Sequence, residues 1–245
     1  EFFVEEDNKI SLQERVEKLT RLNFLKGSML QKAKRLQKIS EYIAKEISKT
    51  LAGNPEVKDT IELKDLEQAS LLAKADLSTN LVFEFTELQG EIGGIYAAKQ
   101  GLNINIQSSI AQHYMPRFAN DKHPSTLGGK IISISDKIDN IICSFALGKI
   151  PSGSADPFAL RRQANGLLEI IVESRLILDL EALIKFICKL QEDEFGTGEV
   201  ITKIKGRGED RKEVKINELN WNDTDKQVIN FLESRLEFVF EQRHK

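Results

Sequence analysis

Three polar side chains stand in stretches that are otherwise apolar and helical in spacing: Asp76, His113 and Asp136. Two carboxylates and an imidazole converging inside a helical core are suited to holding a metal that activates water. The plainer alternative is a buried hydrogen-bonded cluster, because polar groups taken out of water need partners. A second set is cationic. Lys34, Arg35 and Lys38 lie in the basic stretch between Ser28 and Lys49, Arg117 follows Met115-Pro116, and Arg161-Arg162 open a helical run. These residue types contact phosphate, or else simply solvate a helix face and pair with nearby acids such as Asp156 and Glu169.

The elements that must position these groups read as helices. In Lys74–Tyr96, Leu77, Leu81, Phe85, Leu88 and Ile92 recur at helical steps, with Asp76, Asn80, Glu84, Glu87 and Glu91 one residue ahead of each. An acidic row therefore runs beside an apolar row. Val82, Phe83 and Ile95 widen the apolar surface, so part of the acidic row is expected to be buried, with Lys137, His113, Arg161 or Arg162 as partners. Gly90, Gly93 and Gly94 interrupt this stretch at ~1 kcal/mol each in helix propensity, which points to close backbone approach, by a ligand or by another helix at a crossing.

Other segments follow the same logic. Ser11-Leu-Gln-Glu14 is a capping box that starts a helix. Residues 28–51 form an amphipathic helix closed by Gly53-Asn54-Pro55. Further helices are predicted over about 59–73, 103–114, 127–147, 158–173 and 180–190, with a last one capped by Asn222-Asp223-Thr224. Asp156-Pro157 has the chemistry of an N-cap followed by a first helical residue. Residues 195–221 change character to two β-prone runs around a charged turn, a small hairpin near 198–216 or a mobile loop.

Composition sets the frame. The chain has 245 residues, 40% hydrophobic and 30% charged, with net charge −3, the balance of a globular domain. No apolar run reaches a membrane span, and no signal peptide opens the chain. Cys143 and Cys188 sit in apolar helical patterns and read as reduced core residues of an intracellular protein. Phosphate-cradling glycine loops and serine-nucleophile motifs are absent from the sequence.

The order Asp76, His113, Asp136 resembles that of HD-type phosphohydrolases, all-α enzymes in which histidines and aspartates bind one or two metals. Leu71-Leu-Ala-Lys-Ala-Asp76 resembles the approach to the His-Asp pair, and Ile134-Ser-Asp136 the final Asp. Ala75 stands in place of the pair's histidine, and residues 28–51 contain none, so an imidazole is missing at two positions. These are vestigial HD positions.

Several segments together resemble the β subunit of the bacterial heterotetrameric glycyl-tRNA synthetase. They are Lys74–Gly90, His113-Tyr-Met-Pro-Arg-Phe-Ala119, Ser135-Asp-Lys-Ile-Asp-Asn140 and, above all, Pro151-Ser-Gly-Ser-Ala-Asp-Pro-Phe-Ala-Leu-Arg-Arg162. The likeness runs from about Phe2 to Leu190 and resumes in Val228–Phe240; 195–221 looks like an insertion. Ala155 stands where the family usually has Lys and offers a phosphate no charge.

The resemblance implies an internal fragment: an all-α, HD-like helical domain that contributes tRNA binding and scaffolding to the ATP-dependent attachment of glycine to tRNA(Gly). It implies leading helices over 1–54, an HD-like core over 55–194, the insertion, and a final helix over 222–245 leading toward an anticodon-binding domain. It also implies a cytoplasmic heterotetramer of two α and two β subunits. Adenylate chemistry with ATP and Mg belongs to the α subunit, and the fragment holds no cofactor or metal of its own. Lys34, Arg35, Lys38, Arg117, Arg161 and Arg162 are the expected RNA contacts. The competing readings are an active HD-type phosphohydrolase acting on a nucleotide, and a purely structural domain that holds the α subunit without touching RNA.

Overall fold

The computed structural model describes residues 2–51, 61–205 and 212–243. Among them, eleven α-helices and one two-stranded antiparallel sheet follow in the order α1 (Phe2–Asp7), α2 (Leu12–Lys18), α3 (Met29–Leu51), α4 (Leu63–Leu72), α5 (Asn80–Glu84), α6 (Glu91–Lys99), α7 (Ile104–Gln112), α8 (Leu127–Ala146), α9 (Leu160–Glu173), α10 (Leu180–Phe195), β1 (Val200–Lys205), β2 (Lys212–Asn217) and α11 (Thr224–Arg243). The expected Gly53-Asn54-Pro55 stop, the charged turn at 206–211 and His244 lie outside the described residues.

Helix α8 is the axis. Every residue from Ile131 to Ala146 is buried, so the helix has no solvent face. Helices α3, α7, α9, α10 and α11 pack around it, and a single apolar cluster reaches from Leu12 to Val239. A helix buried on all sides is normally apolar all round. This one carries Asp136, Lys137, Asp139 and Asn140 on successive turns, and each needs a partner from a surrounding helix.

The caps follow the sequence. Ser11 and Glu14 close the reciprocal capping box of α2, Asn103 caps α7, Thr126 caps α8 and Asp179 caps α10. Helix α9 departs from expectation. It begins at Leu160, after Ala159 in a left-handed conformation (φ 52°), and not at Phe158. Asp156 still serves it, accepting the backbone N–H groups of Leu160 at 2.7 Å and Arg161 at 3.0 Å.

The stripe region differs most from its predicted form. Lys74–Tyr96 is not one helix but a 3-10 turn at Ala75–Ser78, α5, a second 3-10 turn at Thr86–Leu88, and α6. The periodic rows are therefore dispersed. Phe83 is 79% exposed and Ile95 49%. Asn80, Glu84, Glu87 and Glu91 are exposed, and Asp76 alone of the acidic row is buried. The chain breaks where buried side chains capture backbone groups: Thr79 caps α5, and Asp7 accepts the N–H groups of Asn80 at 2.9 Å and Leu81 at 3.0 Å. The expected glycine crossing is present. A Cβ on Gly93 would lie 2.7 Å from Ile110 Cγ2, and one on Gly94 would lie 2.8 Å from Ala111 Cβ, so α6 and α7 meet backbone to backbone.

The hairpin reading of 198–216 also matches. Strands β1 and β2 pair antiparallel from Val200↔Asn217 to Lys205↔Lys212. The base is anchored to the end of α8 by Asn220 N–H donating to Ala146 O at 2.8 Å, with Leu219 packed against Cys143, Ala146 and Leu147.

Candidate functional site: a buried ion-pair cluster beneath a two-lobed cleft

The polar residues of α8 are met by cations from α3 and from the turn that follows α4. Lys32 Nζ lies 2.9 Å from Asp136 Oδ1 and 2.9 Å from Asp139 Oδ2, and donates to Asn140 Oδ1 at 2.7 Å. Lys74, just past the end of α4, places Nζ 2.7 Å from Asp136 Oδ2 and 3.8 Å from the centre of the Tyr114 ring. Arg35 donates to Asp139 through Nε (2.8 Å) and Nη2 (3.2 Å), and through Nη1 to Glu194 (2.7 Å). Gln191 completes the shell around Asp139 at 2.8 Å. Asp136 and Asp139 are one helical turn apart, and so are Lys32 and Arg35, so two facing helices match charges at the same spacing.

The electrostatics follow from enclosure. Burial by itself would raise the Asp136 and Asp139 pKa values, but the neighbouring Lys32, Lys74 and Arg35 outweigh it and hold both carboxyls well below the usual carboxylate range. Burial lowers Lys74 to about 8 despite the attraction of Asp136, and the repulsion of Lys32 adds to that. Both carboxylates thus remain ionised at neutral pH.

The three residues singled out by type do not form one hydrogen-bonded cluster. All are buried, but Asp76 turns away from Asp136: its Oδ2 accepts the N–H groups of Gly90 at 2.5 Å and Gly93 at 3.2 Å, at the start of α6. Burial pushes its pKa up to about 6, against those hydrogen bonds and Lys74. His113 Nδ1 donates to Ile110 O at 2.6 Å. Burial and then Lys74 depress its pKa well below the ordinary value, so the ring is neutral.

As metal ligands these residues fit poorly. Both Asp136 oxygens face ammonium groups, and Ala75 offers only a methyl. Among the described residues no group of three or more His, Cys, Asp or Glu is placed to hold a metal ion. The residues that meet Asp136 were missed in the sequence. Lys74 is two positions before Asp76, and the one available signal was the matched spacing of Lys32/Arg35 and Asp136/Asp139.

The expected RNA-contact residues divide. Arg35 is engaged inside the protein: its side chain is only 5% exposed and pairs with Asp139 and Glu194. Lys34 and Lys38 are exposed and border a groove that also holds Asp193 and Glu194. Arg117 and Arg162 line a different cleft, together with Lys137. The expected partners of the acidic row do not meet it, apart from a 3.6 Å approach of Arg117, not among them, to Glu91. Lys137 donates to Ser133 Oγ (2.7 Å), Met115 O (2.9 Å) and Tyr114 O (3.3 Å). Glu169 pairs with His123 at 3.3 Å and Asp156 serves backbone N–H groups, which leaves the Arg161 and Arg162 guanidiniums without a carboxylate within ion-pair distance among the described residues.

Two adjoining lobes open above the cluster and share Gln89, Tyr114, Asp136 and Asn140 as lining. One, of about 290 Å³, carries Arg117, Lys137 and Arg162. The other, of about 470 Å³, is walled by Phe24, Met29, Leu77, Val82 and Phe83.

Known proteins similar to this chain agree with one another. The "Glycine--tRNA ligase beta subunit" of Halothermothrix orenii is 44% identical over 193 residues, covering 78% of this chain and 27% of that protein. That of Desulforamulus reducens is 42% identical over 187 residues, 76% of this chain and 26% of the relative. That of Haemophilus influenzae (strain PittEE) is 39% identical over 206 residues, 83% and 28%. The chain spans about a quarter of the length of these relatives. The profile of the family described as glycyl-tRNA synthetase beta subunit matches residues 1–245, end to end, and the chain therefore belongs to that family.

Proposed function

We propose that this chain is a tRNA-binding and scaffolding part of the β subunit of a cytoplasmic glycine–tRNA ligase, and that it carries no reaction centre of its own. The family match across residues 1–245 is the observation that carries this reading. The whole enzyme attaches glycine to tRNA(Gly) with ATP and Mg, in a heterotetramer of two α and two β subunits, and the adenylate step belongs to the α subunit. The helical core over 55–194 is HD-like in descent, with residues 1–54 packed on it, 195–221 as an insertion and 222–245 leading onward. The ammonium groups of Lys32 and Lys74 against Asp136 support descent from a metal-binding scaffold in which fixed cations have replaced the metal. They also weigh against the nucleotide phosphohydrolase.

The RNA-facing cations are Lys34, Lys38, Arg117, Arg161 and Arg162; the engaged Arg35 is not among them. In the assembled enzyme, charge reversal at Lys34, Lys38 and Arg161 is expected to reduce glycylation of tRNA(Gly) while sparing glycine-dependent ATP–pyrophosphate exchange. Unchanged glycylation would remove this surface from RNA binding, and absence of tRNA crosslinks to the chain would favour a scaffold alone.

A further inference from the structure

The two-lobed cleft has the chemistry of a nucleotide site. Its cationic lobe holds Lys137, which is 5% exposed, has only neutral hydrogen-bond acceptors and has no carboxylate within ion-pair distance among the described residues. A buried ammonium without a close counter-charge is costly unless an anion joins it. Burial lowers it to about 7, with Asp136 and Asp121 acting only at longer range. Its 3.3 Å bond to Tyr114 O is the weakest of the three and is the one an anion would replace. Arg117 is aimed by two carbonyls, Glu87 O and Gln89 O, each at 2.9 Å, with the exposed Glu91 carboxylate 3.6 Å from Nη2; its Nε and second Nη1 hydrogens have no acceptor among the described residues. Arg162, exposed at the rim, donates to Arg117 O at a weak 3.4 Å. A guanidinium held by carbonyls, an exposed one at the rim and an ammonium make a phosphate clamp.

The apolar lobe adds a second, independent observation. Phe83 is 79% exposed and Phe24 40% exposed, and both line this lobe. Exposed aromatic faces beside a cationic groove are the usual platform for a nucleobase. Asn23 and Thr86 in the same wall supply hydrogen-bonding groups for a base edge.

We propose that this cleft binds one nucleotide unit, its phosphate held by Lys137, Arg117 and Arg162 and its base lodged in the lobe of Phe24 and Phe83. This deepens the RNA-contact reading above and rests on it only for one source of the nucleotide, an unpaired residue of an RNA strand; the other source is a free mononucleotide.

The test is calorimetric titration of the complete protein with the four ribonucleoside 5′-monophosphates, inorganic phosphate, and a short single-stranded oligoribonucleotide. A nucleotide ligand, free or in the strand, is expected to bind at least about tenfold tighter than inorganic phosphate. Arg162→Ala and Lys137→Met are each expected to weaken it roughly tenfold. Phe83→Ala is expected to weaken nucleotide binding to a similar degree and leave inorganic phosphate unchanged. Arg162 and Phe83 are surface positions, so those variants stay informative if Lys137→Met fails to fold. Binding of monophosphates without the oligonucleotide identifies a free nucleotide, and the reverse identifies a strand; both support the site. No binding of either, or binding indifferent to Arg162→Ala and Phe83→Ala, overturns it. Glycylation that still responds to Lys34, Lys38 and Arg161 would then show that the cleft alone had failed.

Discussion

Lys74 and Asp136 are 62 residues apart in the chain, and their Nζ and Oδ2 atoms are 2.7 Å apart in the core. With Lys32 on the other carboxylate oxygen, Asp136 lies between two ammonium groups. Removing the carboxylate would strand Lys74, whereas Lys32 would keep Asp139 at 2.9 Å. Asp136→Asn is expected to cost about 3–5 kcal/mol, the range for breaking a buried pair from one side. Replacing Lys74 and Asp136 together by Met and Leu is expected to recover part of that loss. Urea unfolding of the single and double variants measures both.

The α6–α7 crossing gives a steric expectation. An added methyl at Gly93 would meet Ile110 Cγ2 at 2.7 Å and Asp76 Oδ2 at 3.2 Å, and neither side has room to retreat. Gly93→Ala is expected to destabilise by about 1–3 kcal/mol through overpacking, read as a lowered melting temperature. Gly148, with nothing within 4 Å of its Cβ position but a φ of +68°, is expected to lose less to alanine, since only backbone strain opposes it.

His113 sets part of the acid limb of stability. Its folded pKa lies well below the ordinary value because of burial and then Lys74. As pH falls through about 6.5, the unfolded imidazole takes up a proton that the folded one does not, and stability declines by up to about 1.4 kcal/mol per pH unit. Asp76, raised to about 6 chiefly by burial, works in the opposite direction, because below pH 6 its folded form binds the extra proton. His113→Asn, which keeps a donor for Ile110 O, is expected to flatten the loss between pH 6.5 and 5 relative to the parent. Parallel pH profiles would contradict this.

Much of the helical framework was legible in the residues. The capping box at Ser11, the periodicity of α3 and the change of character after Phe195 are local signals, and local structure obeyed them. The stripe at 74–96 was misleading because its spacing suited a helix while its backbone groups had better partners at a distance, in Asp7 and Asp76. The site was half legible. Asp136 stood out as a carboxylate in an apolar helix, but its partners come from helix α3 (Lys32) and from the turn after α4 (Lys74). A sequence does not say which of several helical lysines turns inward. Arg35 had the composition of a phosphate contact and became a core residue for the same reason.

The most direct test concerns Asp136, read as the anion of a fixed Lys32–Asp136–Lys74 arrangement and not as a metal ligand. Thermal unfolding of the complete protein and its Asp136→Asn variant, each with and without saturating manganese, separates the two. The expected result is a large drop in melting temperature for the variant and no stabilisation of either protein by the metal. A variant that keeps its melting temperature, beside a parent that manganese stabilises through Asp136, would contradict the account.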